Sequence, residues 1–106
     1  MRADLEIIQH WIEPGSRVLD LGCGDGALLS HLKVEKNIFD CGLEIDPTQI
    51  QQCLQAGVNV IEQDLDKGLA NFESNSFDTV LLAQTLQAVQ KPDVLVDEML
   101  RIGKNC

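Results

Sequence analysis

Basic side chains are scarce in this chain. Its 8 lysines and arginines face 17 aspartates and glutamates, for a net charge of -9, and the few cations form no stripe. That excludes DNA, RNA and anionic membrane surfaces as expected partners, and leaves small molecules or another protein. Metal-ligand patterns are missing too. The four cysteines (Cys23, Cys41, Cys53 and Cys106) include no C-x-x-C pair, and only His10 and His31 could join them, so no zinc site is expected. Cys23, in a glycine-rich turn, and Cys41, in an apolar stretch, read as small apolar residues in a reducing compartment. No apolar run approaches the ~18 residues of a membrane span. The opening Met1-Arg2-Ala3-Asp4-Leu5-Glu6 is too acidic for a signal or transit peptide, so a cytoplasmic chain is expected.

What is present is an ordinary apolar content over 106 residues, enough for one domain with a modest core. Ile8 and Ile12, with Leu5 before them and Trp11 beside them, predict a helix over residues 4–12 that Pro14-Gly15 ends. Arg17–Leu21 reads as a strand. A helix is predicted from Ala27 to about Lys33, a strand from Ile38 to Ile45, and a helix from Asp46-Pro47 to about Ala56. Asp46 is an N-cap before a first-turn proline, and Gly57 is a C-terminal cap. A strand at Val58–Glu62 precedes a loop from Asp64 to Asn75, with a turn of helix near Gly68–Phe72. Phe77–Ala83 predicts a buried strand, and Pro92–Arg101 a helix with Leu95, Val96, Met99 and Leu100 inward. Strands alternating with helices imply an α/β, Rossmann-like, doubly wound parallel sheet. The chain stops at Cys106, where a fifth strand is due. The expectation is the N-terminal part of a longer domain, truncated before that strand. The fourth strand would then be a long apolar edge, open to self-association or needing cover from another chain.

The richest segment is Asp20-Leu21-Gly22-Cys23-Gly24-Asp25-Gly26, a strand running into a glycine-rich turn and a helix. Alternate glycines let the backbone bend and approach a ligand, while the next helix turns its free N–H groups toward it. A dinucleotide pyrophosphate favours such a helix end. Asp20, before the first glycine, would repel a pyrophosphate and suits a cationic amine. Glu44, about 20 residues on at a strand end, is placed to accept from both hydroxyls of a ribose. Asp64, after the third strand, is placed to accept from an adenine amine, with Ile45 and Leu65 flanking the purine or simply packing. Gln84, after the fourth strand, either touches a methionine tail or substrate or starts a helix. Asp25 is a candidate cap, and His31 is expected on the surface. Gly22-x-Gly24-x-x-Ala27 formally fits an NAD fingerprint as well. Asp20, Gly26 and Asp64 together favour S-adenosylmethionine (SAM) or S-adenosylhomocysteine over NAD. The candidate adenosyl-binding set is thus Asp20, Gly22, Cys23, Gly24, Gly26, Glu44, Ile45, Asp64, Leu65 and Gln84. No catalytic group is assigned.

These features, with Ser76-Phe77-Asp78 leading into the fourth strand, resemble the class I SAM-dependent methyltransferase fold. That resemblance implies the strand order 3-2-1-4. Three longer stretches are more specific. Arg17–Gly26, Gly42-Leu43-Glu44-Ile45-Asp46 and Gly57–Leu69 resemble the MetW family of methionine-biosynthesis proteins. The family resemblance implies a methyltransferase-like fold and a partner, homoserine O-acyltransferase, which the protein would assist or activate, with SAM as an end-product signal. The alternative is methyl transfer to a small molecule. That reaction is an in-line displacement on a sulfonium and requires no nucleophilic side chain. The chain has no tyrosine, and nothing in it resembles an acceptor site.

Overall fold

The computed structural model describes residues 3–82 and 89–105, with side chains for 7–82 and 89–104. The elements run α1 (Ala3–Trp11), β1 (Arg17–Leu21), α2 (Ala27–Lys36), β2 (Phe39–Glu44), α3 (Pro47–Gln55), β3 (Val60–Glu62), a 3-10 turn (Leu65–Lys67), β4 (Phe77–Leu81), α4 (Pro92–Ile102) and β5 (Gly103–Asn105). All strand pairs are parallel, in the order β3-β2-β1-β4-β5. The first four strands stand in the expected 3-2-1-4 order. The chain winds outward from β1 to β3 and then returns to β4 on the other side of β1, which creates a crevice at the carboxyl ends of the strands.

Each face of the sheet buries its own cluster. Val18, Leu29, Leu32, Ile38, Cys53 and Val58 pack with Ile12 beneath α1, α2 and α3. Leu19, Leu21, Leu43 and Val80 pack with Leu69, Leu95, Met99 and Ile102 on the opposite face, beneath α4. Successive β1 residues thus serve opposite faces, as the two-residue period of a strand requires. Each fully buried leucine contributes about 1.5–3 kcal/mol to this framework. Asp46 caps α3 by accepting from the Thr48 N–H at 2.9 Å, with Pro47 in the first turn. His31, expected on the surface, is half-buried and meets the Gln9 side chain at 2.9 Å, tying α2 to α1. Among the described residues no helix is long and apolar enough to cross a membrane.

Several expectations are corrected. The fifth strand is not missing. α4 ends at Ile102, Gly103 is extended, and Gly103 and Asn105 pair with Phe77 and Thr79 of β4. The edge of β4 is therefore covered from Phe77 to Thr79. Gly103-Lys104-Asn105 carries no apolar pattern, so pairing with β4, rather than side-chain burial, defines this strand. On α4 the inward stripe is Leu95, Met99 and Ile102, while Val96 and Leu100 are 39% and 63% exposed. The buried positions follow i, i+4, i+7, and their apolar neighbours lie about 100° round the helix. The short helical turn falls at Leu65–Lys67, not at Gly68–Phe72. The Asp64 carboxylate starts it by accepting from the Asp66 N–H at 2.9 Å, and Gly68, at φ 89°, ends it.

Candidate functional site

Three loops meet at the carboxyl ends of β1, β2 and β3. The turn after β1 needs left-handed backbone at Gly22 (φ 74°), Gly24 (φ 60°) and Gly26 (φ 82°). The Leu43 carbonyl of β2 anchors it, accepting from the Gly22 and Cys23 N–H groups at 2.8 and 2.9 Å. Asp25 accepts from the Ala27 N–H at 2.9 Å and so steadies the start of α2, but the N-cap itself is Gly26, not Asp25. Gly26 sits where a Cβ would come within 3.1 Å of Cys53 and Val58, so close packing on α3 requires a glycine there. A Cβ on Gly24 would meet nothing within 4 Å. The space beside Gly24 is open.

Glu44 ends β2 and grips this turn. Its Oε1 accepts from the Gly24 N–H at 2.9 Å, and its Oε2 from the Ile45 and Asp46 N–H groups at 3.0 and 3.1 Å. A carboxylate offers about four acceptor positions, so capacity for a ligand hydroxyl remains on Oε1. Asp20 lies behind the turn, 3% exposed, and its Oδ1 has no hydrogen-bond partner among the described residues. Burial, and secondarily the Glu44 charge, push its carboxyl up to about 7. Leaving such an oxygen unpartnered in the interior is costly.

Gly22, Glu44, Ile45, Asp64 and Leu65 from the predicted set line one cleft of about 220 Å³, together with Leu43, Gln63, Asp66 and Val89. Among the described residues, no lysine, arginine or histidine stands in this wall. Asp20, Cys23, Gly24 and Gly26 do not line the cleft; they form the turn behind it. The Cys23 side chain is buried against Cys53 rather than turned to the cleft, at an Sγ–Sγ distance of 3.6 Å. Gln84 lies outside the described residues. Four lining residues, Leu43, Gln63, Asp66 and Val89, are not among the sequence candidates. Asp66 accepts from the Gln90 N–H at 2.8 Å, which brings Val89 to the cleft wall. The 24-residue separation of Asp66 and Gln90 leaves no local pattern that signals the contact. The Gln63 amide is occupied by a reciprocal pair with Asn71 (3.0 and 2.9 Å) and by the Gly68 carbonyl, so it braces the loop after β3.

The family model for methionine biosynthesis protein MetW matches residues 2–106. The chain belongs to the MetW family. A bifunctional methionine biosynthesis protein MetXA/MetW of Rhodopirellula baltica is 36% identical to this MetW-family chain over 115 residues, taking in 99% of the chain and 18% of that protein. Among solved structures, a SAM-dependent methyltransferase of Archaeoglobus fulgidus superposes with a TM-score of 0.82 at 24% identity, over 96% of this chain and 46% of that one. A SAM-dependent methyltransferase of Geobacter sulfurreducens, solved with S-adenosyl-L-homocysteine, superposes with a TM-score of 0.78 at 19% identity, over 98% and 45%. The MetW-family chain thus has the class I methyltransferase fold. It spans a minor part of its curated relative and less than half of either solved chain.

Proposed function

We propose that this chain holds S-adenosylmethionine or S-adenosylhomocysteine in the cleft at Glu44 and Asp64, and that its role is to assist or activate homoserine O-acyltransferase in methionine biosynthesis. The observation that carries the ligand reading is the acid set itself. Glu44, Asp64 and Asp66 line the cleft, Asp20 with its unpartnered Oδ1 lies behind it, and no cation stands in the wall among the described residues. Such a site repels a pyrophosphate and suits an adenosyl group that carries no phosphate. Glu44 would accept from one ribose hydroxyl through Oε1. The second oxygen of Asp64, whose first is held by the Asp66 N–H, would accept from the adenine amine. Ile45 and Leu65, both on the cleft wall, would flank the purine. The open space beside Gly24 suits a close approach of the ligand to the turn. Bound SAM would supply an electrophilic methyl group, or serve purely as a signal.

The partner reading rests on the MetW membership and on the relative in which MetXA and MetW share one chain. Its test is the rate of homoserine acylation by the acyltransferase, with and without this protein, at several SAM concentrations. A rate that rises on addition and responds to SAM supports the proposal, and an unchanged rate refutes it. Methyl transfer to a small acceptor is the second reading, favoured by the methyltransferase neighbours. Under that reading, methyl-labelled SAM passes its label to a metabolite with no acyltransferase present.

A further inference from the structure

Gly24 is held on both sides by residues outside the turn, through the peptide group before it and the peptide group after it. Its N–H donates to Glu44 Oε1 at 2.9 Å. Its carbonyl accepts from the Cys53 thiol of α3, with Sγ 3.1 Å from the oxygen. The Cys53 side chain is fully buried, so no water competes for that carbonyl from its side. Cys53 has one proton to give. With that proton on the Gly24 carbonyl, its sulfur is left as the acceptor facing the Cys23 thiol at 3.6 Å. Cys23 stands 4.0 Å from the same carbonyl, so the shorter contact belongs to Cys53.

We infer that Cys53 is a positioning residue of the adenosyl turn, fixing the Gly24 peptide through its thiol while Cys23 completes a two-thiol relay, S–H to S–H to carbonyl. Burial pushes both thiols above their ordinary range, which keeps them protonated and able to donate. The hydrogen bond with Cys53 raises Cys23 further, and the one with Cys23 lowers Cys53, as donor and acceptor respectively should respond. The relay gives α3 a second task beyond packing. Its amino end follows closely on Glu44, which holds the Gly24 N–H, and its last turn carries the group that holds the Gly24 carbonyl. One strand–helix unit therefore fixes the two peptide groups on either side of Gly24.

The inference rests on the adenosyl reading for its effect on binding, but not for the hydrogen bond itself. The test uses the full chain, with Cys53→Ala, Cys53→Ser and Cys23→Ala compared by two measurements. One is the carbonyl ¹³C shift of Gly24. The other is S-adenosylhomocysteine affinity by calorimetry. Cys53→Ala should move the carbonyl signal upfield and weaken binding about fivefold, the scale of one modest hydrogen bond. Cys53→Ser retains a donor and should recover both, and Cys23→Ala should change both less than Cys53→Ala does. A merely structural cysteine would lower thermal stability without moving the Gly24 carbonyl or being rescued by serine. An unmoved carbonyl in Cys53→Ala overturns the relay. Should that variant fail to fold, a Cys53→Ser carbonyl lying upfield of the parent overturns it equally. If the parent chain binds no S-adenosylhomocysteine, the adenosyl reading fails while the carbonyl shift still decides the role of the thiol.

Discussion

The two ends of the parallel sheet treat charge in opposite ways. At the amino ends of β1 and β4, Asp78 accepts from the Arg17 N–H at 2.8 Å and lies within 3.4 Å of its guanidinium and 3.7 Å of the Lys104 ammonium. These bonds, led by that from the Arg17 backbone, hold its carboxyl below the usual carboxylate range. Nearby, Arg101 of α4 donates to the Leu69 and Phe72 carbonyls at 3.0 and 2.9 Å and to Glu98 at 2.6 Å. At the carboxyl ends, among the described residues, Glu44 and Asp64 are met by backbone N–H groups and by no cation, and Oδ1 of Asp20 has no partner. One end is arranged to hold the sheet together. The other keeps negative charge in reserve at a cost to stability, as binding sites do.

Substitutions should separate the two ends. The largest effect is expected from Gly24→Val. It forces a β-branched residue to φ 60° and puts its side chain into the open space beside the turn. S-Adenosylhomocysteine binding should vanish from calorimetry, and stability should fall by about 1–3 kcal/mol in urea titrations. Glu44→Ala comes next, weakening binding by about 1.5–3 kcal/mol, the scale of charge-assisted hydrogen bonds. Its unfolding midpoint should fall only modestly, because water reaches the released Ile45 and Asp46 N–H groups while the part-buried Gly24 N–H loses its partner. A Glu44→Ala chain that binds normally would remove the main support for the carboxyl-end site.

Asp20→Asn should act on pH dependence. In the unfolded chain Asp20 ionises near 3.8, and in the fold only near 7. The unfolded state therefore sheds this proton first. The contribution of Asp20 to stability falls as pH rises between those values and is flat above about 7. The urea midpoint of the parent should drop from pH 5 to pH 7.5 more than that of Asp20→Asn, and equal drops would contradict the burial assigned to this carboxylate. The smallest effect belongs to the other end of the sheet. Asp78→Ala should cost about 1 kcal/mol or less, as surface pairs do, and leave ligand affinity unchanged. Weakened binding in that variant would dissolve the contrast between the ends.

Much of this was legible because the local chemistry is strong. The glycine spacing, the Asp46-Pro47 start of α3, and β1 between Pro14-Gly15 and Gly22 each depend on one short stretch. What escaped depends on contacts across the chain. β5 exists because β4 offers an edge, not because Gly103-Lys104-Asn105 has a pattern. Which of the apolar residues on α4 turn inward is settled by the sheet beneath them. Leu95 and Met99 were assigned correctly, while Val96 and Leu100 were taken for Ile102. At the site, Gly22, Glu44, Ile45, Asp64 and Leu65 do converge on one cleft. The sequence could not separate the residues that line it from Cys23, which faces α3, nor find Val89, brought in by the Asp66–Gln90 bond.

The measurement that bears most directly on the account is a calorimetric titration of this chain with S-adenosylhomocysteine, with NAD as the control. Binding of S-adenosylhomocysteine with none of NAD is the predicted result, because the acid-lined cleft accepts from a ribose hydroxyl and the adenine amine of an adenosyl group that carries no phosphate, and repels a pyrophosphate. A folded chain that binds neither, or prefers NAD, would contradict it.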